Sequence, residues 1–284
     1  VTRDGAHVGL WYFDPYARTG KRSGAWMNDY RAQERMDSEV TTIVSNNSNF
    51  VKGTPGEPVL ISWDDAETMF HEFGHAIHGL NSDVTYPSLS GTNVARDYVE
   101  FPSQINERWL STPEVLNQFA LHHETGEPIP QELVDKIKQA ATFNQGFATT
   151  EYLASALVDM KFHMIADPGD IDPDAFERET LAEIGMPDEI PMRHRTPQFA
   201  HIFSSEGYAA GYYSYLWAEV FTADAFEAFL EADGPYDPEV AKRLYDNVMS
   251  VGNTIDPAEG YRNFRGRDFD TNALMRDRGF PVDE

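Results

Sequence analysis

The first part of the chain carries hydrophobic and polar residues in an alternating pattern. Residues 7–14 (HVGLWYFD) and 38–50 (SEVTTIVSNNSNF) are rich in β-branched and aromatic residues, and a turn-like segment, ARTGKRSG at 17–24, lies between them. Alternation with a period of two is typical of strands that have one buried face. The pattern therefore predicts a few strands within residues 1 to about 55.

After Pro58 the hydrophobic spacing becomes that of amphipathic helices. Ser62 stands three residues before Asp65, which is a capping signal, and predicts a helix that runs to about Leu80. The sequence contains no repeat and no linker. It therefore predicts one domain over residues 1–284, mainly α-helical with a small β-sheet near the N-terminus. Further helices are predicted over residues 102–111, 112–123, 130–166 (as two helices), 172–185, 208–230, 237–252, 257–266 and 271–279.

Composition and charge exclude several classes of protein. The chain has 22 basic and 47 acidic residues and a net charge of −25, which disfavours nucleic acids and anionic membranes as partners. It has no cysteine, so disulfides and thiolate metal sites are excluded. No apolar run approaches the roughly 18 residues that span a bilayer. We expect a cytoplasmic location, with the periplasm as the alternative, and the start at Val1 suggests that the front of a longer protein is missing.

The segment FHEFGHAIHGL, residues 70–80, contains a candidate metal site. Residues four apart share one face of a helix, so His71 and His75 can bind the same ion. Glu72 is turned about 100° away and can reach a water on the metal without becoming a ligand. HExxH on a helix therefore predicts a catalytic zinc site with Glu72 as general base. The alternative is a set of helix histidines with no ligand role.

A catalytic zinc site needs a third protein ligand. The metzincin class is excluded, because it requires glycine and histidine where this chain has His78 and Asn81. An acid supplied by a second helix packed on the first would complete the site. The acidic candidates are Asp83, Asp97, Glu100 and Glu107. Asp97 could instead orient a ligand histidine, and we expect His78 to support the site in the same way or to be purely structural.

Several long motifs resemble one family. HEFGH and the following RDYVEFPSQINERW, together with GAWM, HHETGEPIP and HIFSSEGYAAGYYSYLW, are similar to the thimet-oligopeptidase-type (M3) zinc metallopeptidases, in the branch of peptidyl-dipeptidase Dcp and oligopeptidase A. The resemblance covers nearly the whole chain. It implies a zincin-like catalytic domain that holds one Zn2+ and has Glu100 as the third ligand. It also implies that a long N-terminal helical half of the family is absent from this chain.

The segment GYAAGYYSYLW contains several tyrosines. From the residues alone, they are either an aromatic stripe in a helical core or neutral phenol donors for an oxyanion. The resemblance implies that Tyr215 stabilises the oxyanion and that Tyr208 contacts the substrate or the same oxygen. It also implies a substrate contact for His201, and Tyr212 is a further candidate for substrate binding.

Arginines near these motifs are candidate anchors for a substrate carboxylate, because a guanidinium can grip a carboxylate with two hydrogen bonds. They are Arg96, Arg193 and Arg195, and the alternative for each is an ordinary surface charge. We expect zinc-dependent hydrolysis of short unstructured peptides, with release of C-terminal dipeptides. The alternatives are an oligopeptidase that makes internal cuts and an inactive, zinc-containing fragment that binds peptides. A missing N-terminal segment or a second chain would be a further partner.

Overall fold

The computed structural model describes residues 1–282. Its strands all lie within the first 50 residues and form two small sheets. One sheet is an antiparallel pair, and the other has three strands in the order β3-β5-β4, with β3 parallel and β4 antiparallel to β5. The strands are β1 (Thr2–Arg3), β2 (Ala6–His7), β3 (Gly9–Tyr16), β4 (Trp26–Arg31) and β5 (Thr42–Phe50).

Helices make up most of the remaining described chain, so the predicted fold class is confirmed. They are α1 (Trp63–Asn81), α2 (Phe101–Glu107), α3 (Pro113–Phe119), α4 (Gln131–Ala141), α5 (Gln145–His163), α6 (Pro173–Glu183), α7 (Ala200–Phe203), α8 (Ser214–Leu230), α9 (Pro238–Leu244), α10 (Pro257–Arg265) and α11 (Thr271–Asp277). Within residues 1–282, none of them is long and apolar enough to cross a membrane.

Helix α1 begins where its capping signal predicts. The Ser62 hydroxyl accepts a hydrogen bond from the Asp65 amide at 3.0 Å, and the Asp65 carboxylate accepts one from the Ser62 amide at 3.2 Å. These two bonds satisfy amides that the first helical turn leaves free. The buried side of α1 packs on β5 and on α2.

Gly74, inside the HEFGH motif, allows α1 and α2 to approach closely. A Cβ atom at this position would lie 2.7 Å from the Cα of Ser103 and 2.9 Å from the carbonyl oxygen of Pro102. Real Cβ atoms do not make contacts this short, so only glycine fits without a shift of α2. The close approach brings Glu100, at the start of α2, to the face of α1.

The main core lies where α2, α8, α9 and α10 meet, and aromatic residues dominate it. Asp224 is a charged residue buried in this core. It accepts a hydrogen bond from the Tyr261 hydroxyl at 2.6 Å and pairs with Arg267 at 2.5 Å. Pairing offsets the cost of burying the charge. Members of the core include Phe101, Ile105, Phe229, Val248, Tyr261 and Phe264.

Several predicted helices are shorter in the structure. The helix predicted over residues 102–111 ends at Glu107, and the one predicted over 237–252 consists of α9 and a π-helical turn, Tyr245–Met249. The helix predicted to reach His123 ends at Phe119, because the next residues form a turn in which the Ile129 amide donates to the Ala120 carbonyl at 2.8 Å. The helix predicted from Tyr208 begins only at Ser214. The segment before it takes another conformation because it is bonded to α5.

Candidate metal centre

Three predicted ligands meet between α1 and α2. Glu100 Oε2 lies 3.2 Å from His71 Nε2 and 3.0 Å from His75 Nε2, and the three candidate ligand atoms all lie within 4.8 Å of one another. Zinc bonds such atoms at about 2.0–2.2 Å in tetrahedral geometry, which separates neighbouring ligands by roughly 3.3 Å. The donor set and its spacing therefore fit one zinc ion.

Positive charge on the two histidines keeps the Glu100 carboxylate ionised, and a bound metal ion would supply that positive charge in place of the histidine protons. Glu100 is buried, with 3% exposure. Burial alone would raise the pKa of Glu100, but His75 and His71 outweigh it and hold that pKa well below its usual range. The Ser103 hydroxyl also donates to Glu100 Oε2 at 3.2 Å. An ionised, hydrogen-bonded carboxylate faces the two imidazoles.

A second carboxylate, Glu107, contacts His71 from the opposite side. Glu107 Oε1 lies 2.6 Å from His71 Nδ1. Burial lowers the pKa of His71, but the hydrogen bonds to Glu100 and Glu107 more than compensate and raise it to about 10. A carboxylate on Nδ1 fixes the ring and leaves Nε2 facing the candidate ion.

This contact corrects the role expected of Asp97. Asp97 Oδ2 accepts a hydrogen bond from the Tyr213 hydroxyl at 2.9 Å, whereas Glu107 is the acid that orients a histidine. Glu107 appeared in the sequence only as a candidate ligand. The spacing between Glu100 and Glu107 could have indicated this role. Seven residues are about two helical turns, so the two carboxylates lie on the same face of α2.

Glu72 is buried beside the candidate ligands. Its side-chain Oε2 atom has no hydrogen-bond partner among residues 1–282, and burial raises the pKa of this carboxyl group. The Asn46 side-chain amide donates to the Glu72 carbonyl and ties β5 to this turn of α1. A buried carboxylate oxygen with no partner is costly, so the site suits a water or a polar substrate group at this atom.

A cavity of about 300 Å3 joins this group to the tyrosine segment. The candidate ligands and Glu72 form one side of it. The other lining residues are Ala25, Trp26, Met27, Thr92, Arg96, Val99, His201, Tyr208 and Tyr215. The motif GAWM, which carried no assigned role in the sequence, thus contributes to the wall through the start of β4.

Tyr208 and Tyr215 face the cavity with nearly parallel rings, 6.4 Å apart. The Tyr215 hydroxyl lies 2.9 Å from His201 Nε2, and the Arg96 guanidinium lies over the Tyr208 ring at 4.4 Å. Burial raises the pKa of Tyr215, and the charge of Glu100 raises it further. Tyr215 therefore stays a neutral phenol, which can donate to an oxygen in the cavity.

Other predicted site residues lie outside this cavity. Tyr212 is buried, stacks on Tyr152 at 5.0 Å and lines a neighbouring cavity of about 530 Å3. Arg193 lines the same neighbouring cavity, 3.8 Å from Glu151. Tyr212 does not line the cavity beside the ligands, but the cavity it lines shares Tyr215 and His201 with that one, so its substrate contact stays a prediction.

His78, Asp83 and Arg195 have structural surroundings. His78 is fully buried, its two ring nitrogens have no hydrogen-bond partner within the described range 1–282, and burial, helped by His75, lowers its pKa to about 3. Asp83 pairs with Arg35. Arg195 bonds Glu177 and Asp174, each at 2.6 Å. Full burial favours the structural alternative for His78, and the two ion pairs of Arg195 favour its alternative of an ordinary surface charge.

The family follows from comparison of the whole chain. The profile of peptidase family M3 matches residues 2–280. The chain belongs to peptidase family M3. The resemblance inferred from the motifs is thereby confirmed, and both expected branches of family M3 are represented among its relatives.

A dipeptidyl carboxypeptidase of Salmonella typhimurium is 40% identical over 279 residues, which are 97% of this chain and 40% of the relative. Oligopeptidase A of Escherichia coli is 39% identical over 278 residues, 95% of this chain and 40% of the relative. The chain thus spans about 40% of the length of these family M3 relatives.

The fold is also similar to an M32 carboxypeptidase from Deinococcus radiodurans R1. The two structures have a TM-score of 0.50 and 15% sequence identity, and the match covers 96% of this chain and 54% of that chain. At this identity the likeness concerns the fold alone.

Proposed function

We propose that this chain is a zinc peptidase catalytic domain that hydrolyses short unstructured peptides. The observation that carries the proposal is the group of His71 Nε2, His75 Nε2 and Glu100 Oε2, with the unpartnered Oε2 of buried Glu72 beside it. Two imidazoles and one carboxylate are the donor set of a catalytic zinc site, which keeps one position open. Bound zinc would polarise a peptide carbonyl and lower the pKa of a water.

Glu72 is the general base in this proposal. Its side-chain Oε2 atom has no hydrogen-bond partner among residues 1–282, so a water beside it could donate a hydrogen bond and then its proton to this atom. Glu72 takes a proton from the attacking water and then transfers it to the leaving amine. The nitrogen accepts that proton as the peptide bond breaks.

Tyr215 donates a hydrogen bond to the carbonyl oxygen as negative charge develops on it. His201, 2.9 Å from the Tyr215 hydroxyl, fixes the direction of that group, and burial lowers the His201 pKa so that its ring is neutral near pH 7. Tyr208 lies close enough to contact the same oxygen or the adjoining residue of the substrate. A donor aimed at the developing charge stabilises the transition state more than the ground state.

Release of C-terminal dipeptides is the preferred reaction. It is supported by the relative named dipeptidyl carboxypeptidase and by Arg96, a cation on the cavity wall that can face a substrate carboxylate. The second candidate is internal cleavage of short peptides, favoured by the nearly equal identity to oligopeptidase A.

Two forms of one ten-residue peptide separate these reactions. The zinc-loaded chain is incubated with the free acid and with the C-terminal amide, each with and without a chelator, and products are read by mass spectrometry. Dipeptides shed stepwise from the free acid alone support the preferred reaction. Internal cuts in both peptides support the oligopeptidase, and no chelator-sensitive cleavage of either contradicts the proposed function.

A further inference from the structure

Ala210 has a backbone conformation that is unfavourable for alanine. Its φ angle is +55°, in the left-handed region. The other described residues that combine a Cβ atom with a positive φ are Asp4 and Asn144, and Asp and Asn tolerate this region better than alanine does. Such a conformation persists only where the surrounding structure enforces it, and it marks positions that carry a constraint.

The enforcing contacts come from α5, where Asp159 bonds two loop amides and His163 Nδ1 lies 3.2 Å from the Ala210 amide. Asp159 is 1% exposed, and its two oxygens accept hydrogen bonds from two loop amides, Oδ1 from Ala210 at 3.1 Å and Oδ2 from Tyr212 at 2.9 Å. His163 Nδ1 lies 2.8 Å from the same Oδ1 atom. A buried carboxylate that accepts charge-assisted bonds from two nearby amides holds both in a fixed direction.

Tyr152, two turns earlier on α5, reinforces this attachment. Its hydroxyl donates to the Tyr212 carbonyl and accepts from the Leu216 amide at 3.3 Å. The Gly211 amide closes the turn on the Tyr208 carbonyl at 2.8 Å. The backbone between Tyr208 and the first turn of α8 is therefore hydrogen-bonded to α5. The side chains of Tyr208 and Tyr215 line the cavity beside the ligands.

We infer that Asp159 is a positioning residue, which holds Ala210 in the left-handed conformation and thereby places the Tyr208 and Tyr215 side chains over the candidate metal centre. The inference rests on the proposed function, in which these tyrosines act on the substrate carbonyl. Asp159 itself lines neither the cavity beside the ligands nor the metal group.

The test is Asp159→Asn in the zinc-loaded chain. Asparagine keeps one acceptor oxygen but turns an NH2 group toward the second amide, which then loses its hydrogen bond. The left-handed conformation of Ala210 is therefore less stable relative to other loop conformations. We expect kcat for peptide hydrolysis to fall about tenfold to a hundredfold, the effect of losing one hydrogen bond to a charged group. Zinc affinity should change less than twofold, because the ligands lie on other elements.

Asp224→Asn is the matched control. It removes another buried carboxylate, with 0% exposure, that pairs within the core and contacts no part of the tyrosine segment. It should lower the melting temperature while leaving kcat of the folded protein within about twofold. An equal loss of kcat in both variants would overturn the positioning role.

Rescue separates positioning from general destabilisation. Adding Ala210→Gly to Asp159→Asn removes the penalty of a left-handed alanine, so kcat should recover at least about threefold. No recovery would contradict the inference. If Asp159→Asn does not fold, Ala210→Val disfavours the same conformation from the loop side, and an unchanged kcat in that variant would overturn the proposal.

Hydrogen exchange provides a readout independent of activity. The amides of Ala210 and Tyr212 should exchange faster in Asp159→Asn than in the parent chain, with α1 unchanged. Parent-like exchange at both amides overturns the inference even if the parent chain hydrolyses no peptide. An inactive parent with faster exchange in the variant contradicts the proposed function alone.

Discussion

The contact between Glu107 and His71 offers a graded test of the candidate metal centre. Glu107 Oε1 lies 2.6 Å from His71 Nδ1, and the two side chains are 26% and 20% exposed. A hydrogen bond to a charged group contributes about 1.5–3 kcal/mol and a neutral one about 0.5–1.5 kcal/mol. Glu107→Ala should therefore weaken zinc binding about tenfold to a hundredfold, in the range known for partners of metal-ligating histidines.

Glu107→Gln should lie between the parent and Glu107→Ala. Glutamine keeps a neutral acceptor for His71 Nδ1, so only about 1 kcal/mol is lost, equivalent to roughly fivefold weaker binding. Competition between the chain and a chromophoric chelator at fixed pH measures each affinity.

Glu67→Gln is the charge control. Glu67 is an exposed residue on α1, and partial desolvation and the nearby Glu107 carboxylate raise its pKa. Its charge therefore acts on the same group, but its side chain is not among the hydrogen-bond partners of His71. Its loss should change zinc affinity less than about threefold. The reasoning is refuted if Glu107→Ala binds zinc like the parent, or if Glu67→Gln weakens binding as much as Glu107→Ala does.

Three further predictions concern catalysis, packing and acid stability. Tyr215→Phe removes the proposed oxyanion donor and should lower kcat about 10²- to 10³-fold without changing zinc affinity in a competition assay; unchanged kcat would contradict the role. Gly74→Ala places a Cβ 2.7 Å from Ser103 Cα, so denaturant unfolding should show a loss of about 1–3 kcal/mol together with weaker zinc binding; parent-like stability would refute the close approach. Burial and His75 lower the His78 pKa to about 3, so below pH 6.5 the unfolded chain binds a proton that the folded chain does not, and stability falls with pH down to about 3. Relative to His78→Met, the metal-free parent should therefore lose about 2 kcal/mol between pH 7.5 and pH 5, whereas parallel unfolding curves would contradict this.

Local signals in the sequence predict α1 and its chemistry well. The bonds that start the helix join Ser62 to Asp65, and the residues of HExxH share their faces through helical spacing alone. Both the capping bonds and the HExxH spacing lie within α1 and the residue that caps it. Local spacing is therefore enough to predict the helix, its first turn and the common face of His71 and His75.

The partners of these residues depend on long-range packing. The resemblance selects Glu100 from four acids. The expectation that Asp97 orients a ligand histidine is wrong, because Asp97 bonds Tyr213, 116 positions along the chain. The distance between α1 and α2 that brings Glu100 and Glu107 to His71 depends on Gly74, whose steric role is visible only when α2 is in place.

The tyrosine segment shows the same limit. Its hydrophobic spacing permits a helix from Tyr208, although Gly211 weakens the helical propensity of its first turns. Asp159 and Tyr152, more than 50 positions earlier, hold Ala210 and Tyr212 outside the helical conformation. The spacing of residues within the tyrosine segment carries no information about Asp159 and Tyr152. The start of α8 at Ser214 could therefore not be predicted from the segment alone.

The measurement that tests the account most directly compares the zinc-loaded chain with its Glu72→Gln variant on one ten-residue peptide. Metal content is determined by mass spectrometry of the protein before hydrolysis is assayed. We expect one zinc per chain in both proteins, chelator-sensitive cleavage by the parent, and a rate at least about 10²-fold lower in the variant. Equal activity in the two zinc-loaded proteins, or no cleavage by either, would contradict the assignment of Glu72 and this group of ligands to a peptidase active site.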